Sequence, residues 1–334
     1  LNADPLFVDV ANGNVQLNWA SPAIDAGDNG VLPTGTTTDL AGDTRPQGGL
    51  VDIGAYEGGI EPSGVSTLKV DASKTTDGTS GGTWSNAYGT LQAALEAVRH
   101  ETAASGGLSF GEVRIAEGVY YPDEGPGIPA GSQSVPFLVT GKEDGLKLRG
   151  GYPSGGGTQD PDANVTVLSG DIDGDDTDPD SDGIIEDSNP DDDATVENLD
   201  EGNAYHVLAL DGGVSGFGPD VGENVTSSTV IDGVTVTAGN AVGGASVTEG
   251  GGLYCDGVGS GNACSPTITD VTFVGNNAAR GGAVYTSGSS SGTSAPSITG
   301  AVFSGNSAVN PIDIGEGGAL FNNESSPEIT NAVF

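Results

Sequence analysis

The segment ITDVTF at residues 268–273 recurs without gaps as IDGVTV at 231–236, ITGAVF at 298–303 and ITNAVF at 329–334. Each copy opens with isoleucine and carries a second apolar side chain at its sixth position: Val236, Phe273, Phe303 and Phe334. The third position is always a turn-former (Gly233, Asp270, Gly300, Asn331), and the fourth is small or β-branched (Val234, Val271, Ala301, Ala332). A single strand places positions one, three and five on the same face. Here positions one, four and six are apolar, so the period slips by one residue at the turn-former. That is the signature of two short strands joined by a bend, both keeping their apolar side inward.

Between these copies lies a second motif: Gly251-Gly252-Leu253-Tyr254, Gly281-Gly282-Ala283-Val284-Tyr285 and Gly317-Gly318-Ala319-Leu320-Phe321. Paired glycines permit positive φ and close backbone approach, and the residues after them resume a strand. A recurring unit with several short strands cannot bury its apolar face alone, so stacked copies must share one core. The fold expected is all-β: a right-handed single-stranded parallel β-helix, or solenoid, over residues 112–334. Asn276 and Asn306 each follow a phenylalanine by three residues. They fit either an inward hydrogen-bonded ladder or surface turn positions that tolerate left-handed φ.

Phe273-Val-Gly-Asn276 and Phe303-Ser-Gly-Asn306, alternating with Gly281-Gly-Ala-Val284 and Gly317-Gly-Ala-Leu320, resemble the repeats of polymorphic outer membrane proteins and related bacterial β-helix surface proteins. The resemblance implies a secreted β-helix with an adhesive or passenger role.

Upstream, Leu91, Ala94, Leu95 and Val98 form one apolar stripe and predict a helix over about 89–104. An amphipathic helix there suits a cap, because the end of a stacked sheet exposes unpaired strand edges. Residues 61–111 are accordingly read as a linker plus capping helix, followed by the alternating strand 112–120. The stretch 58–66 is read as a hinge. Residues 1–60 contain Asp4-Pro-Leu-Phe-Val-Asp9, Ser21-Pro-Ala-Ile-Asp-Ala-Gly27, Asp39-Leu-Ala-Gly-Asp-Thr-Arg45-Pro and Val51-Asp-Ile-Gly-Ala-Tyr-Glu57. This set resembles the closing segment of bacterial β-helix proteins that carry a choice-of-anchor domain. In such proteins it follows the last coil, whereas here it precedes the helix. The order suggests a period of a tandem array, or a subunit whose residues 1–60 complete a neighbour head to tail, with a truncated chain as the plain alternative.

Asp and Glu number 47 against nine Lys plus Arg, a formal charge of −38. Such a surface disfavours phosphate backbones and anionic membranes, and favours cations or basic partners. The chain contains no methionine, consistent with a processed product or an internal piece of something longer. Cys255 and Cys264 are the only cysteines. They read either as a disulfide, implying an oxidising compartment, or as two buried thiols. Extracellular or cell-surface placement is the expectation that goes with the disulfide.

Residues 171–201 carry fifteen carboxylates and no Lys or Arg. Within them Asp178, Asp180, Asp182, Ile184, Glu186 and Asn189 take the spacing of an EF-hand-like calcium loop, with Gly183 at the sharp turn and Ile185 as the apolar anchor. Asn189 stands where EF-hands place a bidentate glutamate. Asp171, Asp173 and Asp175 form a second, poorer cluster that lacks the glycine. Structural Ca2+ is the cofactor expected, and a solvated acidic loop is the alternative.

The sequons at Asn164, Asn224 and Asn323 are no more than composition supplies. His100, His206, Trp19 and Trp84 carry no partner pattern and are expected to pack. Parallel β-helices also house polysaccharide lyases and hydrolases, but Arg280 is the only cation among the clear repeats, and the dense carboxylate blocks fall in turns. The expectation is a structural or adhesive surface protein, not an enzyme. A calcium-dependent carbohydrate- or partner-binding module is the competitor, which an exposed line of aromatic side chains would favour.

Overall fold

The computed structural model describes residues 66–74, 81–105, 107–176, 178, 182–185, 199, 202–213, 224–242, 248–289, 294–309 and 316–334. Before residue 66 it describes 5, 7–9, 14–18, 21, 23–24, 26–33, 35–42, 45, 51–57 and 59–60. The chain is built mostly of short strands in parallel sheets, with one α-helix among the described residues.

Four parallel sheets share the core, each named here for a side chain that marks it. The isoleucine sheet has seven strands: Thr67–Val70, Glu112–Ala116, Lys147–Tyr152, Val230–Asp232, Thr267–Thr269, Ser297–Thr299 and Glu328–Thr330. The phenylalanine sheet has five: Gly118–Tyr120, Thr166–Ser169, Thr235–Thr237, Thr272–Val274 and Val302–Ser304. The asparagine sheet has three: Asn240–Ala241, Asn277–Ala278 and Ser307–Ala308. The tyrosine sheet again has five: Phe137–Thr140, Leu208–Asp211, Leu253–Asp256, Val284–Ser287 and Leu320–Asn323. From residue 230 onward the chain visits them in one order, isoleucine, phenylalanine, asparagine, tyrosine, then the next isoleucine strand.

The repeat alignment becomes a column in space. Ile231, Ile268, Ile298 and Ile329 are successive in-register partners, continued on the other side by Leu148, Val113 and Leu68. A second column runs Tyr120, Leu168, Val236, Phe273 and Phe303. The Phe273 and Phe303 rings stack 5.3 Å apart, and Phe334 lies 4.8 Å beyond Phe303. The turn-former sits between the columns. Gly233, Asp270, Gly300 and Asn331 all have positive φ, from 50° to 71°. Such backbone is cheap for glycine and tolerable for Asp or Asn, which accounts for the residue types at this position.

Register also corrects the glycine motif by one residue in its first copy. Leu253 pairs with Val284 and Val284 with Leu320. The equivalents of Gly281 and Gly317 are therefore Gly250, and these three share φ near 65°. The next glycine in each copy marks a corner where backbones nearly touch: a Cβ on Gly282 would lie 2.0 Å from the Ser307 carbonyl oxygen. No side chain fits there.

The helix spans Leu91–Ser105 and packs on strands Phe137–Thr140 and Thr67–Val70. Leu91, Ala94, Leu95 and Val98 are buried, with Ala93 and Ala97 widening the face beyond the expected stripe. Gln92 is buried as well, its amide donating to the carbonyls of Pro122 and Pro136. The isoleucine sheet begins earlier than residue 112. Thr67–Val70 pairs in register with Glu112–Ala116, so residues 61–111 contribute a strand as well as the helix, which is an excursion between two neighbouring strands. Before residue 61, Phe7–Asp9, Asn14–Asn18 and Gly59–Ile60 form a separate small sheet, its first pair antiparallel and its second parallel. There Arg45 pairs with the buried carboxylate of Glu57 at 3.1 Å, and Glu57 accepts from the Asp52 amide.

Candidate functional site

The acidic segment leaves the phenylalanine sheet after Ser169. Among the described residues the carboxylates that converge are Asp171, Asp173 and Asp175, whose ligand atoms all lie within 4.8 Å of one another. Asp171 Oδ1 accepts from the amides of Gly174 and Asp175, which bends the chain so that alternate side chains face together. Lost hydration, then the neighbouring Asp175 carboxyl, hold Asp173 above its usual carboxylate range. Three carboxylates this close favour either a shared proton or a bound cation.

The returning chain meets this turn at Gly202. A Cβ on Gly202 would lie 1.9 Å from Asp173 Oδ2, so only glycine lets the carboxylate settle there. The next residue, Asn203, is 1% exposed. Its amide nitrogen donates to Asp176 Oδ2 at 2.7 Å and to the Ala238 carbonyl at 2.9 Å, and two acceptors on one nitrogen fix which way the amide points. Its Oδ1 is left buried without a donor among the described residues. A buried amide oxygen left without a donor, on a side chain whose nitrogen meets the Asp176 carboxylate, suits a hard cation, which takes carboxylate and amide oxygens alike. Sequence reasoning missed Asn203 because no spacing rule links it to a cluster nearly thirty residues earlier.

The EF-hand-like set is only partly described. Asp180, Glu186 and Asn189 lie outside the described residues. Asp178 Oδ2 accepts from Gly183 N at 2.8 Å and Asp182 Oδ1 accepts from Ile184 N at 2.9 Å, so both carboxylates engage the turn's own backbone. Gly183 has positive φ. Ile185 is buried, and its backbone exchanges hydrogen bonds with the Thr237 hydroxyl. The segment is thus pinned to the phenylalanine sheet where the sequence places an anchor. Among the described residues, the carboxylates that meet belong to the cluster that looked poorer in sequence.

Asp171 and Asp173 also edge an open groove of about 940 Å³ shared with Lys74, Tyr121, Asp123 and Glu124. Burial, then the charges of Asp171, Glu124, Asp178 and Asp123, push the Tyr121 phenol up.

Of the remaining candidates, Trp19 lies outside the described residues, and those that follow resolve into packing. Cys255 and Cys264 form a disulfide with Cα atoms 5.8 Å apart, and both are fully buried. Asn276 takes the ladder arrangement: fully buried, it accepts from Gly239 N and donates to Val236 O, Val274 O and Asn306 Oδ1. His206 is buried under Tyr254 with ring centres 5.1 Å apart, its Nδ1–H donating to the Gly250 carbonyl. Trp84 packs on Tyr152.

Two arrangements on the outer face of the tyrosine sheet were not evident from sequence. Tyr254, Tyr285 and Phe321 form a stacked ladder with centres 5.5 and 5.8 Å apart and rings nearly parallel. The ring faces are spent on one another, leaving edges outward, which is poor geometry for stacking on a sugar. Asp211 and Asp256, outside the dense carboxylate blocks, are in-register partners at the ends of neighbouring strands. Both are buried and cap the turns after their strands, accepting from Gly213 N and Val258 N.

Comparison with known proteins finds no matching family model, no matching curated protein and no matching solved structure.

Proposed function

We propose that this chain is an extracellular right-handed parallel β-helix serving as a structural or adhesive surface element, with Ca2+ holding its acidic insertion. The observation that carries the reading is the isoleucine column: seven parallel strands in one register, separated by excursions through other sheets. Parallel neighbours require crossover connections, and those are right-handed in nearly every known case. Such stacks put most of their side chains into sheet faces. The likeness of the Phe-x-x-Asn and Gly-Gly-Ala elements to bacterial surface repeats supports the same placement, as does the disulfide, since cystines persist in oxidising compartments.

The test is made on intact cells of the source. A membrane-impermeant amine label should reach the chain, and alkylation of the denatured chain without reductant should leave both cysteines unmodified. A chain protected from the label, with free thiols, overturns the reading.

Asp171, Asp173 and Asp175 with the Asn203 amide oxygen are the ligands we assign to Ca2+. Titration calorimetry on the apo chain should show uptake that Asp173→Asn weakens about tenfold or more. Unchanged affinity in that variant removes the assignment and leaves a solvated acidic turn. The groove beside this cluster is the observation that keeps a calcium-dependent binding module as the second reading.

A further inference from the structure

Cations are scarce in this chain, nine against 47 carboxylates, yet four of the nine share one place. Lys69, Arg114 and Arg149 are in-register partners on three adjacent strands of the isoleucine sheet. Lys147 stands in the next outward-facing column, opposite Glu112. Their inward neighbours Leu68, Val113 and Leu148 are buried, so the strand alternation turns all four charged side chains away from the core.

Like charges directly opposite on neighbouring strands destabilise a sheet, and here three stand in a row at strand spacing, about 4.8 Å. The compensation is partial. Glu112 pairs with Arg114 at 3.1 Å and with Arg149 at 3.3 Å, and Asp232 pairs with Arg149. Lys69 is held by the carbonyls of Thr67 and Gly82, with burial and the adjacent Arg114 drawing its pKa down. Lys147 is exposed and makes no ion pair among the described residues. Four cations thus face two paired carboxylates, an island of positive charge on a chain of formal charge −38.

Beside this column lies a groove of about 420 Å³ lined by Lys147, Arg149, Ser66 and Thr67, together with Glu112, which is paired to Arg114 and Arg149, and Gln159, whose amide nitrogen donates to Gly150 O and Asp232 Oδ2. Regularly spaced positive charge along one direction matches a linear ligand with repeating negative charge. The hydroxyls of Ser66 and Thr67 in the same groove match a ligand that carries hydroxyls as well. The surrounding negative surface would steer such a ligand to this face and away from the others.

We propose that the outer face formed by Lys69, Arg114, Lys147 and Arg149 binds an acidic polysaccharide, a sugar chain bearing carboxylates or sulfates. The surface protein would then hold an anionic glycan by its one cationic face.

The test uses the full chain, with alginate and dextran sulfate as probes and neutral dextran and polyglutamate as comparators, at about 0.15 M salt. Binding to alginate or dextran sulfate, and not to neutral dextran, is expected; which of the two binds separates carboxylate from sulfate recognition. Lys147→Glu should weaken that binding about tenfold, whereas Lys74→Glu, with the same charge change on another groove, should stay within about twofold. Lys147→Gln should fall between wild type and Lys147→Glu, and all three variants should melt with wild type, because both lysines lie outside the core. Failure to bind either charged glycan, equal loss in Lys74→Glu, or polyglutamate binding as tightly as the glycans would each overturn the proposal. The last would identify the occupant as an acidic polypeptide.

Discussion

Asn276 shows how much one polar side chain can hold when the backbone around it turns. Its amide joins the strand end at Val236, its own turn at Val274, the next cycle at Asn306 and the following corner at Gly239. Leucine has nearly the same volume but leaves the buried Gly239 N–H without its acceptor and strips the amide donor from the carbonyls of Val236 and Val274, and a buried group left unpaired costs about 1–3 kcal/mol. Asn276→Leu should therefore destabilise the chain by about 3 kcal/mol or more in urea denaturation. Asn306→Leu, at the half-exposed next position, should cost clearly less, and equal costs would mean that burial is not what matters. His206 gives a pH-dependent counterpart. Burial lowers its pKa from 6.5 to about 4, outweighing the carbonyls that favour its protonated form. The unfolded chain thus takes up a proton first as pH falls below about 6.5, and stability drains away until about pH 4. Relative to His206→Gln, wild type should lose about 2.5 kcal/mol between pH 7 and pH 4.5. Carboxylates titrate alike in both proteins, so the difference isolates the histidine, and parallel pH profiles would refute its burial as the neutral form. The sequence made the isoleucine columns plain, because identical spacing is a direct consequence of stacking. It left Asn276 undecided, since Phe-x-x-Asn is equally good chemistry for a ladder and for an exposed turn. His206 gave no signal at all.

At the level of elements, the disulfide ties the strand Leu253–Asp256 to Cys264, which bridges to Val225 of the preceding cycle. It closes a short loop between residues nine apart. The entropy removed from the unfolded chain by a loop of that size is worth about 2.5 kcal/mol. Cys255→Ala with Cys264→Ala should lower the urea midpoint accordingly, with the parallel-sheet circular dichroism retained. A variant that fails to fold would show that the bond is needed for assembly and not merely for stability. Elements differed sharply in legibility. The helix over Leu91–Ser105 follows from its periodicity, but Thr67–Val70 did not, since four residues after a glycine- and serine-rich stretch carry too little pattern to reveal a partner more than forty residues away. The acidic clusters were legible in part. Asp178, Asp180 and Asp182 satisfy a spacing rule, whereas Asp171, Asp173 and Asp175, named from sequence as the poorer cluster, converge because the Asp171 carboxylate caps the turn at Gly174 and Asp175, with Gly202 leaving room for Asp173. The column of Lys69, Arg114 and Arg149 likewise depends on register between strands far apart in sequence.

For the whole molecule the dominant fact is charge. Forty-seven carboxylates against nine cations repel one another in the folded state more than in the expanded one, a standing cost that solvent ions can screen. At about 10 mM salt the screening length is about 30 Å, comparable with the stack itself, since seven strands at about 4.8 Å span roughly 29 Å. At about 1 M it shrinks to about 3 Å, and only contacts persist. The attractive pairs that salt would weaken are few among the described residues, chiefly Arg45–Glu57, Arg149–Asp232 and Arg280–Glu249. Partly exposed pairs of this kind contribute little each. Repulsion should therefore win, and the melting temperature in EDTA should climb steadily as NaCl rises from about 10 mM to about 1 M. Neutralising even a handful of the excess carboxylates by charge-to-amide substitution in 171–176 should flatten that climb. A melting temperature that falls with salt would mean that the few ion pairs, and not the acidic surface, set the electrostatic balance of the fold.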